Sequence, residues 1–527
     1  MSVNKGLPKK IIILGGGSAG WITASLLQHA WIADGIEIVL IESDTINKIG
    51  VGEGSTPSLR LFFKHLGIAD SEWMPACNAT YKCGIKFPGW ANQSDPNYSE
   101  FSDYIHPFYS HVDFKTGSAF IHNAKLRRKG FNVPAHPDNY WLQSHLAQSF
   151  KGPIASQQLR EDMDYGYHFD SALLGEFLKK RLLNKGVMHL TDEVTEVELS
   201  SNGEIQSLIT ENNGNQSADF FIDCTGFSAK LIRQTLNVDF VDYKESLLND
   251  RAIAIQSLIR SADEIPSLTT STALSSGWAW RIPLSNRYGN GYVYSSKYIS
   301  DEDAEEELRA HIGDSCKQNS ARVIHFRLGR VSKHWHKNVL AVGLSQGFIE
   351  PLEATAIMLI QFTVEAFINS YQDMLTTKNT LEKQQHFFNS KLNNTFENIK
   401  DYIVAHYRLN SRVDSQYWLD NRTNQHNSPR LEALLKAWRT PDGDFEAELK
   451  KHDAEITYLA PSWYCLFAGK GDFPKQLKTP PTTMQVAPTN DIIKYCQEVS
   501  QFFDSHKKQL KLVYGDYWPM TQTRINT

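Results

Sequence analysis

The segment Ile11-Ile12-Ile13-Leu14-Gly15-Gly16-Gly17-Ser18-Ala19-Gly20 decides the fold of this chain. Its four apolar residues predict a buried parallel strand, its glycines predict a tight turn, and residues Trp21 to Trp31 predict an amphipathic helix. In such a unit Gly15 and Gly17 let the backbone approach a pyrophosphate, and Gly20 lets the helix and strand pack closely. The helix amino terminus offers free N–H groups to the anion. The segment therefore predicts a βαβ unit that binds a dinucleotide.

A second predicted strand, Ile36 to Ile41, ends in Glu42, about twenty residues after the glycines. A carboxylate at this place accepts hydrogen bonds from a ribose, which supports the dinucleotide prediction. The residues Gly16 to Gly20 also spell GxSxG, the pattern of a hydrolase elbow with Ser18 as nucleophile. That alternative is disfavoured because an elbow normally follows several strands, whereas this strand is the first, and Glu42 would have no role.

More distant segments indicate which dinucleotide binds. Residues Asp219 to Gly226 predict a strand that ends in Asp-x-Thr-Gly at Asp223, after a hairpin with a type I′ turn at Asn202-Gly203. Residues Val339 to Gly343 predict another short buried strand. FAD enzymes of the glutathione-reductase type place such strands beside the cofactor, so the pattern resembles FAD binding. No second GxGxxG segment occurs, and we expect the flavin to be reduced by another protein.

Composition excludes several classes of function. The 527 residues carry a net charge of -5, so no basic surface favours nucleic acid or an anionic membrane. The six cysteines show no CxxC spacing, which favours reduced thiols over disulfides or a metal site. The amino terminus lacks the apolar core of a signal peptide, and the longest apolar stretch, Ala354 to Ile368, is too short to span a bilayer. We expect a cytoplasmic protein.

The stretch Trp278-Ala279-Trp280-Arg281-Ile282-Pro283 points to a reaction class. It matches without a mismatch the WxWxIP signature of the flavin-dependent halogenases, and the chain resembles their tryptophan-halogenase branch. The resemblance extends over nearly the whole chain through further matching motifs: Gly50-Val51-Gly52-Glu53, Tyr81 to Phe87 with Lys82, His168-Phe169-Asp170, and Phe348 to Glu353.

The resemblance implies a two-component enzyme. Reduced FAD, supplied by a separate NAD(P)H flavin reductase, and oxygen convert a halide ion to hypohalous acid, which travels through a tunnel to an electron-rich aromatic substrate. The residues implied in cofactor binding are Gly15, Gly17, Ser18, Ala19, Gly20, Glu42, Gly50, Val51, Gly52, Glu53, Asp223 and Gly343. Those implied in holding the substrate, or in keeping it from the flavin, are His106, Phe108, Trp278, Trp280, Ile282 and Pro283.

The resemblance also implies that Lys82 and Glu353 are catalytic. Lys82 would either carry the halogen on its amine or hold hypohalous acid by hydrogen bonding. The first mechanism needs a neutral amine, so burial should lower the lysine pKa from its usual value of about 10.4. Glu353 would polarise the lysine–hypohalite pair, stabilise the cationic ring intermediate or take up its proton.

Two departures from the family pattern concern halide and substrate. The implied halide site consists of the N–H groups of Thr355 and Ala356, but Ala354 and Ala356 replace the family's serine and glycine, so bromide is at least as plausible as chloride. His106 and Phe108 match residues that sandwich an indole. Residues 445–453, where the family binds the tryptophan backbone with a tyrosine pair and a glutamate, contain no tyrosine. We therefore expect simple indoles, or an indole within a larger molecule, to react better than free tryptophan.

The predicted fold class is α/β (α+β), with a glutathione-reductase-type FAD-binding domain, a Rossmann-like βαβ unit and a mainly helical substrate-binding region. We expect the FAD-binding body to comprise residues 1–98 and 152–385, and the helical region 99–151 and 386–527. The small aromatic substrate and the reductase are the expected partners, with no nucleic acid or membrane, and a homodimer is left open. An FAD-dependent aromatic monooxygenase and a non-catalytic FAD-binding protein remain as alternatives.

Overall fold

The structure is a computed structural model that describes residues 6–44, 52–159, 163–260, 263–377 and 380–518. Its strands, in chain order, are β1 Lys10–Leu14, β2 Glu37–Glu42, β3 Gly52–Gly54, β4 Thr80–Lys82, β5 Gly84–Lys86, β6 Ile105–Pro107, β7 Lys151–Ala155, β8 Gly166–Asp170, β9 Met188–Thr191, β10 Val194–Leu199, β11 Ile205–Thr210, β12 Gly214–Ser217, β13 Phe220–Asp223, β14 Phe240–Asp242, β15 Arg251–Leu258, β16 Leu268–Leu274, β17 Gly277–Pro283, β18 Arg287–Tyr294, β19 Arg322–His325, β20 Gly329–Val331, β21 Trp335–His336, β22 Val339–Ala341, β23 Gly347–Phe348 and β24 Phe503–Ser505.

The α-helices are α1 Ser18–Trp31, α2 Ser58–His65, α3 Asp70–Trp73, α4 Phe114–Arg128, α5 Leu142–Gln148, α6 Ser171–Leu183, α7 Asp301–Ile312, α8 Ala356–Thr377, α9 Leu381–Arg408, α10 Gln416–Thr423, α11 Pro429–Arg439, α12 Phe445–Lys451, α13 Ala460–Gly469, α14 Thr489–Ser500 and α15 His506–Tyr514. Among the described residues, no helix combines the length and apolarity needed to cross a membrane.

A six-stranded sheet in the order β21-β22-β13-β1-β2-β9 holds the predicted βαβ unit. Strand β1 pairs in parallel with β2 on one side and β13 on the other, and α1 connects β1 to β2. A Cβ atom at Gly20 would lie only 1.9 Å from the Gly15 carbonyl oxygen, so close packing of helix on strand requires a glycine here. The α/β fold class is confirmed.

A seven-stranded sheet in the order β19-β15-β18-β17-β16-β5-β6 positions the tryptophan signature. The signature lies in β17, between the antiparallel neighbours β16 and β18. Because successive side chains of a strand alternate between faces, Trp278, Trp280 and Ile282 share one face of this sheet.

Helices α9 to α13 share a core cluster with the second sheet. Helix α9 shares a core cluster with β17, through contacts that include Tyr402, Phe396 and Trp278. It also runs without interruption across the boundary predicted at residue 385, because it starts at Leu381. Segments 99–151 and 386–527 are mainly helical, although β6 and β24 pair with strands β5 and β7 of the body. The division into two regions stays a prediction.

The hairpin β10–β11 corrects one local prediction. Its turn closes with the Gly203 N–H donating to the Ser200 carbonyl at 2.8 Å. Gly203 has a φ of 72°, but Asn202 is not among the residues with positive φ. A type I′ turn needs positive φ at both central residues, so that prediction is wrong. The pattern fits a type I turn followed by a left-handed glycine, which leaves an extra residue in the loop.

Candidate active site

A cavity of about 710 Å³ extends from the glycine-rich turn after β1 to the tryptophan face of β17. The predicted cofactor residues in its lining are Gly15, Gly17, Ser18, Ala19, Glu42, Gly52, Glu53 and Gly343. The predicted substrate-wall and halide residues in its lining are Trp278, Trp280, Ile282, Thr355 and Ala356. The fold thus brings the predicted cofactor residues and part of the predicted substrate wall around one space, whereas Lys82, His106, Phe108 and Glu353 do not line it.

The glycine-rich end of the cavity fits the pyrophosphate of a dinucleotide. Gly15 has a φ of 116°, and a Cβ atom there would lie 2.2 Å from the Cys224 carbonyl oxygen. Gly17 has no heavy atom within 4 Å of its Cβ position, so it faces open space. Helix α1 starts directly afterwards, and the N–H groups of its first turn have no intrahelical acceptor. These groups form the anion-binding backbone that FAD requires.

Glu42 lies at the end of β2 beside this cradle, as the sequence predicts. Its Oε1 atom accepts hydrogen bonds from Lys179 Nζ and His189 Nε2, both at 2.8 Å. These two hydrogen bonds fix the orientation of the carboxylate at the edge of the cavity. The sequence motif did not indicate either donor, because the two donors belong to α6 and β9.

Some predicted site residues lie elsewhere. Asp223 is buried and its carboxylate accepts the N–H groups of Leu231 and Ile232 at 2.8 and 2.9 Å, so it caps the π-helix Lys230–Thr235. Within the described chain, Asp223, Gly20 and Pro283 do not line the cavity. Gly50 and Val51 lie outside the described residues.

The amine of Lys82 lies directly behind the cavity wall. Lys82 ends β4 with a fully buried side chain, and Nζ donates to the Ser55 carbonyl at 3.2 Å. A Cβ atom at Gly54, which lines the cavity, would lie 3.2 Å from this nitrogen. Burial lowers the pKa of Lys82 to about 7, although the charge of Glu353 opposes the shift. The shift has the direction that the halogen-carrying mechanism requires.

Glu353 is held between two imidazoles. Its carboxylate accepts hydrogen bonds from His106 Nδ1 at 2.9 Å and from His406 Nε2 at 2.8 Å, because an ionised carboxylate can only accept. Burial alone would raise the pKa of Glu353, but His106 and His406 together lower it to about 2. Burial lowers the pKa of His406 to about 4, so this imidazole is neutral at neutral pH. Glu353 is therefore a buried anion.

Aromatic rings surround Lys82 and Glu353. His106 and Phe108 lie two residues apart at β6, and the Phe108 ring faces Lys82 Nζ at 5.3 Å while His106 contacts Glu353. Tyr402 of α9 lies 6.0 Å from His106, ring to ring, and stacks on Tyr458 at 3.6 Å. Sequence reasoning missed Tyr402 and His406, which are one helical turn apart, because buried residues at this spacing are typical of an ordinary helix core.

Trp278 is anchored by a buried carboxylate. Its Nε1 donates to Glu350 Oε2 at 2.8 Å, and the same oxygen accepts hydrogen bonds from Asn249 and Tyr407. Burial raises the pKa of Glu350, while these three donors oppose the shift. Since Glu350 and Glu353 belong to one short segment, the tryptophan wall and the buried anion are fixed to the same piece of backbone.

A chain of hydrogen bonds connects the end of the signature with the surroundings of Lys82. Thr80 Oγ1 donates to the Pro283 carbonyl at 2.7 Å. Because this uses the only hydroxyl proton, Thr80 accepts from His168 Nδ1 at 3.1 Å, and His168 Nε2 accepts from Thr269 Oγ1 at 3.0 Å. Burial lowers the pKa of His168 well below its usual value, which agrees with this neutral tautomer.

The predicted halide residues lie at the start of α8. The Leu359 N–H donates to the Thr355 carbonyl at 2.9 Å, so the helix begins at Ala356 and its first N–H groups have no intrahelical acceptor. Ala354, just before them, has a φ of 56°, in the left-handed region that is unusual for a residue with a side chain. The arrangement offers an anion a helix start on the cavity wall.

Comparisons with known proteins agree on one family. A family model for tryptophan halogenases matches residues 10–486. The chain is 34% identical over 479 residues to 7-chloro-L-tryptophan 6-halogenase KtzR of Kutzneria sp. (strain 744), covering 88% of this chain and 90% of that one. It is 36% identical over 436 residues to tryptophan 6-halogenase SttH of Streptomyces toxytricini, with coverages of 79% and 81%. The structure of BrvH, a flavin-dependent halogenase from Brevundimonas sp. BAL3, superposes with a TM-score of 0.81 at 30% identity over 97% of this chain and 100% of that chain.

Proposed function

Since the chain belongs to the tryptophan halogenase family, and is thus an enzyme of the flavin-dependent halogenase type, we propose that Lys82 and Glu353 direct hypohalous acid onto an indole-type ring. The observation that carries this proposal is the position of the Lys82 amine, buried behind Gly54 of the cavity wall and within the electrostatic reach of Glu353.

The cofactor is FAD, and flavin-dependent halogenases receive it reduced from a separate reductase. The glycine cradle and the start of α1 would hold its pyrophosphate, and Glu42 its ribose. Reduced FAD, when bound, supplies together with oxygen the oxidising power that turns halide into hypohalous acid. Trp278 and Trp280, whose ring centroids lie 6.2 Å apart, would keep the organic substrate away from the flavin.

Lys82 receives the hypohalous acid on the far side of Gly54. With its pKa near 7, the amine is available at neutral pH both as a neutral nucleophile and as an ammonium donor. The neutral form can exchange a proton for halogen, which releases water, and the ammonium form can hold hypohalous acid by hydrogen bonding. Both routes leave the halogen electrophilic and position it between Lys82 and the aromatic rings near Glu353.

Glu353 completes the substitution. When the ring carbon takes the halogen, its positive charge is stabilised by a carboxylate that burial makes a strong partner. The proton lost from the ring carbon goes to this carboxylate and from there back to the Lys82 nitrogen, which restores both residues. Hypohalous acid and arene have then become haloarene and water. His106 and His406 hold the anion in place during the reaction by donating one hydrogen bond to each oxygen.

We further propose that simple indoles, or indoles within larger molecules, are better substrates than free tryptophan. KtzR and SttH are named as halogenases of chlorotryptophan and tryptophan, but α12 of this chain has no tyrosine to hold an amino acid. Its residues Phe445 and Leu449 are buried in the core, and Glu446 pairs with Lys125 at 2.5 Å. This helix therefore lacks the tyrosine pair with which the family holds the backbone of tryptophan.

Bromide is the proposed preferred halide. Ala354 and Ala356 place methyl groups at the helix start where the family pattern has serine and glycine. The site therefore lacks the hydroxyl of the family's serine, although Thr355 keeps its own, and loss of the serine donor penalises the strongly hydrated chloride more than bromide. Bromide is also the more easily oxidised ion.

One experiment tests the proposed function. Purified protein receives FAD, a flavin reductase, NADH, oxygen, equal concentrations of bromide and chloride, and either indole or tryptophan, and products are identified by mass spectrometry. Bromoindole in excess over chloroindole and halotryptophan is the expected result. Hydroxylated indole would indicate a monooxygenase instead, and the absence of any product with every aromatic compound tried would favour a flavin-binding protein. Exclusive chlorination, or a marked preference for tryptophan, would refute the corresponding finer proposal.

A further inference from the structure

Lys470 is a buried amine in an aromatic box. It follows the last residue of α13 and is 1% exposed, and its Nζ lies 3.7 Å from the Trp90 ring centroid, with Phe87 and Tyr104 at 5.3 and 5.4 Å. Among the described residues, Nζ has no hydrogen-bond partner. Contact with aromatic faces stabilises a cation but leaves its N–H groups without acceptors, and buried polar groups rarely lack them.

His406 borders the same box and has a hydrogen-bond acceptor without a donor. Its Nε2 donates to Glu353, whereas its Nδ1 is buried and also lacks a partner within the described residues. The imidazole lies 4.8 Å from the Phe87 ring and 5.9 Å from the Trp90 ring, the two rings that also contact Lys470. One aromatic box thus encloses a donor without an acceptor and an acceptor without a donor.

The tautomer of His406 matters for Glu353. With its proton on Nε2, neutral His406 donates to the carboxylate and exposes a lone pair at Nδ1. With the proton on Nδ1 instead, a lone pair at Nε2 would face the buried anion and the hydrogen bond would be lost. A donor beside Nδ1 therefore favours the first tautomer, and Lys470 has N–H groups to donate whether it is an amine or an ammonium ion.

We propose that Lys470 is a positioning residue that acts on Glu353 through His406. An Nζ–H group of Lys470 donates to a bridging water molecule, which donates to His406 Nδ1 and so keeps the imidazole proton on Nε2, aimed at Glu353. A bridging water is the ordinary way in which separated buried polar groups satisfy each other. The functional consequence rests on the catalytic role proposed for Glu353.

The variant Lys470→Met removes the donor and keeps the length of the side chain. The proton of His406 is then free to move to Nδ1, and Glu353 keeps only the hydrogen bond from His106. We expect kcat to fall about tenfold, KM for the aromatic substrate to change little, and the acid limb of the pH profile to move to higher pH, because Glu353 becomes easier to protonate. The titratable groups around Glu353 are Lys82, Tyr104, His106, Tyr402, His406, Tyr458, Cys465 and Lys470.

The matched control is Lys470→Gln. Glutamine also lacks the charge of lysine, but its amide can still donate to the bridging water, so it should restore the pH profile and most of kcat. Recovery in this variant separates hydrogen-bond donation from charge, since both variants lose the same charge.

The tautomer itself can be measured without flavin or turnover. In protein labelled with ¹⁵N-histidine, His406, assigned through a His406→Asn variant, should carry its proton on Nε2 in the wild type and in Lys470→Gln, and shift toward Nδ1 in Lys470→Met. A wild-type proton on Nδ1 would overturn the proposal, whatever the activity of the enzyme. A Lys470→Met variant with an unchanged His406 tautomer, an unchanged pH profile and a higher melting temperature would also overturn the proposal. Lys470 would then only be a buried charge that destabilises the fold.

Discussion

Replacing Gly54 with alanine should obstruct the passage between the flavin cavity and the Lys82 amine. The new Cβ atom would lie 3.2 Å from Lys82 Nζ and 3.3 Å from Thr269 Oγ1. Both contacts are tighter than ordinary van der Waals contact, so the amine must move by a few tenths of an ångström. Its hydrogen bond to the Ser55 carbonyl is already long at 3.2 Å and would weaken further.

The size of the effect follows from this displacement. A misplacement of about 1 Å costs roughly 100-fold in rate, so a few tenths of an ångström should cost about tenfold. A tenfold loss corresponds to about 1.4 kcal/mol of activation free energy. The loss should fall on the transfer of halogen to the ring and not on the oxidation of halide, because Gly54 lies beyond the part of the cavity that holds the pyrophosphate.

The assay compares two products of one turnover. Halogenated indole is measured by chromatography, and free hypohalous acid is measured with a halogen-trapping β-diketone. Gly54→Ala should oxidise reduced flavin at the wild-type rate, form about tenfold less haloindole and release more trappable hypohalous acid. Gly175→Ala is the control, since its new Cβ atom would meet only Trp21 Cδ1 at 3.7 Å. Wild-type yields of haloindole from folded Gly54→Ala protein would refute the idea that halogen passes Gly54 to reach Lys82.

If the Lys82 amine carries the halogen, kcat should rise with pH up to about 7, because the ammonium loses its proton, and level off above that pH. A kcat independent of pH between about 6 and 9 would favour the hydrogen-bonding mechanism. Glu350→Leu should free the Trp278 indole, lower the free energy of unfolding by about 1–3 kcal/mol for each donor left unsatisfied, and raise the yield of hydrogen peroxide per flavin. Glu350→Gln keeps an acceptor and should have smaller effects. Equal peroxide yields in the wild type and both variants would contradict the anchoring role. Ala356→Gly should increase chloride use relative to bromide in a competition assay, because it removes the methyl group at the helix start; an unchanged product ratio would show that this methyl group does not select the halide.

The elements that could be predicted from sequence are those whose signals are local. The strand, turn and helix from Ile11 to Trp31 are encoded in one run of apolar residues and glycines, and the parallel pairing of β1 with β2 follows from the helix between them. The hairpin turn was predicted wrongly because Asn202-Gly203 fits two turn types, and the choice depends on the register of the flanking strands.

The site depends on contacts between residues that lie far apart in the sequence, and motif spacing does not predict such contacts. Lys82 and Glu353 were identified through family resemblance, and only the fold brings β4, β6 and the start of α8 together. His406 and Lys470 were missed because a lone histidine on a helix and a lone lysine after one are usually core and surface residues. Asp223 is the opposite case. It belongs to a motif that predicts cofactor binding, but its carboxylate caps a π-helix.

The most direct test of the central claim is halogen transfer by Lys82→Met protein under conditions in which hypohalous acid is still made. Flavin oxidation and trappable hypohalous acid should persist in this variant while haloindole disappears. Lys86→Met is the matched control, because Lys86 lies on β5, the next strand along the chain, and pairs with Asp103 at the surface, and it should retain haloindole formation. Haloindole formed by Lys82→Met at the wild-type rate would contradict the claim that the buried amine directs halogen to the ring.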